Sequence, residues 1–101
     1  MILTTRAGMK YIDVAWKPLD VDYPIRLISE LDEQRVETRK IEVYLDGKVG
    51  YARQDTEHNG TELSYEPVPP IEEINKSEEF AAVTIEKEDF ERLWTQMVTE
   101  Q

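Results

Sequence analysis

The chain predicts an α+β fold, an antiparallel sheet of four to five strands with a C-terminal α-helix packed on one face. Three observations carry this. Lys10 to Trp16 alternates, with Ile12, Val14 and Trp16 on one face and Tyr11, Asp13 and Ala15 on the other, the pattern of a half-buried strand. Asp46-Gly47 separates two further alternating runs and supplies the φ > 0 backbone of a two-residue hairpin turn. Phe90, Leu93, Trp94, Met97 and Val98 recur at i, i+3, i+4, i+7 and i+8, one apolar helical stripe.

The remaining elements follow in order. Lys17 to Tyr23 holds a proline and two aspartates and reads as a loop. A second strand starts at Pro24, with Ile25, Leu27 and Leu31 on one face, and Asp32-Glu33-Gln34 turns the chain into a third, Arg35 to Leu45. That third strand changes phase: Val36 is even, whereas Ile41, Val43 and Leu45 are odd. One extra residue flips every side chain that follows, so a bulge is expected near Thr38–Lys40. Val49 and Tyr51 lie on the return strand. Gln54 to Gly60 is polar and ends in an Asn59-Gly60 turn, Thr61 to Tyr65 forms a further short strand, and Pro67, Pro69 and Pro70 break pairing after it. Pro70 suits the first turn of a short helix over Ile71 to Lys76. Phe80 to Ile85 reads as an edge strand. Glu86, Glu88 and Asp89 gather at the start of the last helix, where carboxylates favour its dipole. Trp16 and Trp94, the largest apolar groups, are expected to meet in the core.

Length and composition bound the possibilities. The 101 residues suit one domain, read as residues 9–101, with 1–8 as a loose N-terminal extension and Met9 as a second possible start. Hydrophobic content of 40% argues against disorder despite 34% charged residues. Cysteine is absent, which removes disulfides, thiolate catalysis and cysteine zinc sites and fits a reducing compartment. No apolar run approaches the roughly 20 residues that span a bilayer, and Met1 to Lys10 lacks the apolar stretch of a secretory signal. A cytoplasmic protein with no membrane partner is expected.

Charge is divided unevenly. Residues 1–54 carry nine basic and nine acidic side chains, whereas residues 55–101 carry three and thirteen, so the second half holds the whole net charge of −10. Such a surface repels nucleic acid and attracts basic partners from a distance. Arg35, Arg39, Lys40, Lys48 and Arg53 could form a basic patch, but Asp32, Glu33, Glu37 and Glu42 stand close enough to neutralise it. Helix N-termini account for Glu72, Glu73, Glu86, Glu88 and Asp89. They do not account for Asp55, Glu57, Glu62, Glu66, Glu78 and Glu79, and loops on a rigid scaffold are where binding residues concentrate.

No motif for catalysis stands beside this asymmetry. His58, the only histidine, lies in a turn near Asp55, Glu57 and Glu62, which reads as a solvated cluster before it reads as an acid–base pair. Ser29, Ser64 and Ser77 lack a nucleophile motif. Asp20-Val21-Asp22 and the Asp55–Glu62 stretch offer oxygen atoms, but neither has the spacing of a calcium loop. Gly8, Gly47, Gly50 and Gly60 never cluster into a phosphate cradle. The expectation is a protein with no catalytic residue, no metal and no cofactor.

Glu30–Ala52 (ELDEQRVETRKIEVYLDGKVGYA) resembles a small bacterial single-domain family of unknown function, as do Gly60-Thr61-Glu62-Leu63, Pro67–Asn75 (PVPPIEEIN) and Phe90–Trp94 (FERLW). The likeness runs from about Met9 to Trp94 and leaves Met1–Gly8 outside it. It lends no catalytic residues, and it implies a cytoplasmic protein of the kind found among toxin–immunity cassettes. The expected function is therefore an immunity protein, a monomeric stoichiometric inhibitor. It would bind the basic C-terminal nuclease domain of a toxin from a contact-dependent growth inhibition system. Asp55, Glu57, Glu62 and Glu66 are the expected charged contacts, with Tyr65 and His58 as anchors. Two alternatives stand beside it: a general protein-interaction module, and a small carboxylate enzyme that uses His58.

Overall fold

A computed structural model describes residues 8–18 and 20–98; the expected N-terminal extension lies, Gly8 apart, outside the described residues. Six strands form one antiparallel sheet: β1 (Lys10–Trp16), β2 (Arg26–Leu31), β3 (Glu37–Val43), β4 (Val49–Arg53), β5 (Thr56–His58) and β6 (Phe80–Ile85), in the order β5-β4-β3-β2-β1-β6. Two helices accompany them, α1 (Ile71–Ile74) and α2 (Lys87–Val98). The α+β class and the C-terminal helix are as expected, but the sheet has six strands, not four to five. The extra one is β5, which pairs with β4 across the two-residue link Gln54-Asp55. Its sequence, Thr-Glu-His, has no apolar alternation because it is a solvated edge, and short polar edges are how sheets avoid further pairing. Thr61 to Tyr65, expected as a strand, instead runs without strand pairing across the sheet.

The bulge falls where the phase change puts it. Glu30 pairs with Arg39 but Leu31 pairs with Glu37, so Thr38 is the extra residue, and its hydroxyl donates to the Glu30 carbonyl oxygen at 3.1 Å. The β3–β4 turn is longer than expected. The Tyr44 N–H bonds the Lys48 oxygen, the Gly47 N–H bonds the Tyr44 oxygen, and only Gly47 has a positive φ there, +91°. That is a three-residue loop closed by one left-handed glycine, not a two-residue turn with two such residues.

Both faces of the sheet are covered. Odd-numbered β1 residues face α2: Tyr11, Ile28, Ile41, Phe90 and Trp94 form one cluster. Even-numbered ones face α1 and the segment before it: Ile12, Val14, Leu31 and Ala82 form the other, with Val68, Ile71 and Ile74 against them. Tyr11, on the face opposite Ile12 and Val14, is buried as they are, so the strand expected to be half-buried is covered on both sides. The two tryptophans do not meet. Trp94 packs on Phe90 and Tyr51, whereas Trp16 stacks between Tyr23 and Phe80. Trp16 shares parity with Ile12 and Val14, so the pleat carries it to the side away from α2.

α2 starts where its capping chemistry directs it. The Asp89 carboxylate accepts the Glu86 N–H at 3.1 Å, which satisfies one donor left open at the helix start, and Glu88 and Asp89 in the first turn favour its dipole. Its docking is reinforced by Arg39, whose guanidinium bonds Glu30 (2.8 Å) and Glu91 (2.7 Å) and lies 4.8 Å from the Phe90 ring centre and 5.0 Å from that of Trp94. Burial pushes the Glu30 carboxyl up, but hydrogen bonds from Arg39 and Thr38 outweigh it, and the group lies below the usual carboxylate range.

Candidate functional site

Residues 59–70 form a strap that crosses the second face of the sheet, and its anchors determine what it exposes. Asn59, at φ +57°, donates its side-chain amide to the Val49 oxygen at 2.8 Å and turns the chain out of β5. Thr61 is fully buried, and its hydroxyl donates to Glu42 at 2.8 Å. Glycine at position 50 permits this approach, since a Cβ there would stand 2.1 Å from the Thr61 hydroxyl oxygen. The Ser64 N–H donates to Glu37 at 2.8 Å. Between those carboxylates sits Lys40, its ammonium 3.0 Å from Glu37 and 3.9 Å from Glu42. Further along, the Arg35 guanidinium donates to the Val68 and Pro69 oxygens at 2.7 and 2.8 Å, and the Val68 N–H returns a bond to the Arg35 oxygen.

The strap is thus pinned at Thr61 and Ser64 and again at Val68. Tyr65 lies between the pins and is 93% exposed. Beside it opens a groove of about 830 Å³, walled by Glu37 and Thr38 at the bulge, Arg53 to Glu57 around the β4–β5 turn, and Leu63 and Tyr65 of the strap. Its volume is in the range of binding clefts.

The structure brings together part of the expected contact set. Asp55, Glu57 and Tyr65 line the groove. Glu62 and Glu66 are exposed on the strap beside Leu63 and Tyr65 but off the groove wall. His58 does not join them. It follows Glu57 along β5 and so points to the opposite face, where its ring stacks on Tyr51 at 4.9 Å. Leu63, Gln54 and the bulge pair Glu37 and Thr38 are wall residues that sequence reasoning missed, because only the strap's crossing brings residue 63 to residue 37.

Ion pairs take up acids from both halves of the chain but pass by the groove. Asp13 pairs with Arg26, Glu30 and Glu91 with Arg39, Glu37 and Glu42 with Lys40, Glu73 with Lys76, and Asp89 with Arg92. Among the described residues no ion pair reaches Asp55, Glu57, Glu62 or Glu66. The suspected basic patch is dispersed, though of the expected acids only Glu37 and Glu42 neutralise a member of it, Lys40: Arg39 pairs instead with Glu30 and Glu91, Arg35 holds the strap, and Lys48 lies over the Tyr44 ring. Arg53 is left as the exposed cation beside the groove.

The Asp20 carboxylate accepts the Asp22 N–H at 2.9 Å, which gives that acidic pair a role in its own turn. Among the described residues no group of three or more His, Asp or Glu side chains is arranged to hold a metal ion. Among the described residues no helix is long and apolar enough to cross a membrane.

A family model described as "Domain of unknown function (DUF6881)" matches residues 10–99. No curated protein and no solved structure matches the chain. With nearly its whole length matched, from β1 through α2, the chain belongs to this family of single domains of unknown function.

Proposed function

We propose that this protein is a cytoplasmic immunity protein, a stoichiometric inhibitor that binds a basic toxin domain through the Asp55–Tyr65 groove. The observation that carries the reading is a grouping: of the acids that no internal ion pair reaches among the described residues, Asp55, Glu57, Glu62 and Glu66 gather around one exposed tyrosine. A nuclease must attract phosphate, so its active site is electropositive, and an acidic surface can cover it. Asp55 and Glu57 supply charge at the groove, Glu62 and Glu66 extend it along the strap, and Tyr65 supplies the aromatic anchor that interface centres favour. An interface of ordinary size removes about 800 Å² per partner from water, so the partner would cover the strap as well as the groove.

Co-expression with the products of the flanking genes tests the reading. The expected result is a tight complex with a basic protein whose toxicity the chain abolishes. Asp55→Lys/Glu57→Lys/Glu62→Lys should slow association at least tenfold in low salt, with the difference shrinking as salt screens it. A basic partner bound at an unchanged rate by this variant would overturn the groove as the docking surface. A stable complex with a non-toxic, uncharged partner would favour a general interaction module.

A further inference from the structure

The two edges of the sheet differ in chemistry. β5 ends it with Thr56, Glu57 and His58, beside Asp55. β6 ends it with Phe-Ala-Ala-Val-Thr-Ile, a run of six without a charge, and Val83 is 55% exposed. Such a strand is a template for further pairing. Its outward-facing backbone groups belong to Phe80, Ala82 and Thr84, because the alternate residues bond β1. The Phe80 N–H is taken by the Ser77 oxygen. At Ala82 both groups are taken by one side chain: the Asn75 Oδ1 accepts the Ala82 N–H at 2.7 Å, and the Asn75 Nδ2 donates to the Ala82 oxygen at 2.9 Å. A carboxamide has the donor and acceptor of a peptide unit, so Asn75 occupies the place of one residue of a neighbouring strand. Among the described residues no partner reaches the outward N–H and C=O of Thr84.

We propose that β6 is a self-pairing edge held shut by Asn75, and that the occupant it excludes is β6 of a second copy of this chain. Antiparallel self-pairing about a two-fold axis presents the same strand from both copies, and this uncharged run sets no like charges against each other within the strand. The opposing term is the net charge of −10, with Glu79 and Glu86 flanking the strand, so pairing strengthens as salt screens it. Asn75 is positioned for this by α1, whose C-terminal cap it forms.

Sedimentation of Asn75→Ala against the parent tests the proposal. The parent stays monomeric, whereas the variant dimerises with at least tenfold higher affinity, more so in high salt. Asn75→Ala/Thr84→Pro, which adds a ring and removes an N–H on the same open edge, returns to monomer. A folded Asn75→Ala that remains monomeric, or a dimer that Thr84→Pro does not disrupt, overturns the proposal. Amide exchange in the unmodified protein gives a check that survives poor folding of the variants. Ala82 should exchange at least tenfold more slowly than Thr84, and equal rates would show that Asn75 does not hold the edge.

Discussion

On one face of the sheet, α2 lays Phe90 and Trp94 over Tyr11, Ile28 and Ile41. On the other, α1 and the strap rest on Ile12, Val14 and Leu31 at one side and on Glu37, Lys40 and Glu42 at the other. The first face is held mainly by apolar area, with one buried cation clamp. The second is held in part by hydrogen bonds and charge pairs under an irregular segment. The difference shows how a small domain divides labour. A helix with an apolar stripe supplies stability that does not depend on direction. A polar anchorage gives less net energy but specifies position, and position is what an exposed side chain such as Tyr65 requires.

The comparison can be broken most severely at Phe90. It is fully buried, between Tyr11 and Trp94, so Phe90→Ala should cost about 3–5 kcal/mol in urea unfolding. A loss under 1 kcal/mol would mean that α2 is not the main source of stability. Next comes Arg39→Ala, which leaves Glu30, with a side chain only 4% exposed, without its cation. About 3 kcal/mol is expected, because removing one partner of a buried ion pair is costly.

Gly50→Ala probes the second face. Its Cβ would enter the space of the Thr61 hydroxyl, and overpacking of this kind costs roughly 1–3 kcal/mol. It should also raise exchange at the Ser64 amide while leaving amides of α2 protected, a pattern that global destabilisation alone would not give.

Acid should act on the first face through Glu30. Its carboxyl titrates lower when folded than unfolded, so its stabilising contribution is fully present above the usual carboxylate range and is lost as pH falls through the folded value. In Glu30→Gln the slope of stability against pH in that window should flatten; an unchanged slope would assign acid sensitivity elsewhere. The smallest effect belongs to Lys76→Ala. Its pair with Glu73 is solvent-exposed on both sides, and a change of less than about 0.5 kcal/mol is expected in the same urea titration.

Regular periodicity made the first face legible. The helical stripe from Phe90 to Val98 and the alternation from Lys10 to Trp16 each report burial through a repeat of the backbone itself. The phase change between Val36 and Ile41 located the bulge for the same reason. The strap has no such repeat. Thr61, Ser64 and Val68 are anchored by groups 19 to 33 residues distant in sequence, and no local pattern reports them. The acidic candidates were visible as unexplained charge, yet their grouping was not, and neither was the separation of His58 from Glu57 by the pleat of an edge strand with no apolar signature.

By itself the sequence determined the α+β class, five of the six strands, the amphipathic helix, the turn at Asp46-Gly47 and the excess of acid after residue 54. Each of these depends on spacing or composition, quantities that neighbouring residues carry between them. Only the tertiary structure decided that both faces are covered, that Trp16 and Trp94 lie on opposite sides, that β5 exists, and which acids keep no partner. Those outcomes depend on which distant groups satisfy one another's hydrogen bonds and charges, and that choice is made only when the chain closes on itself.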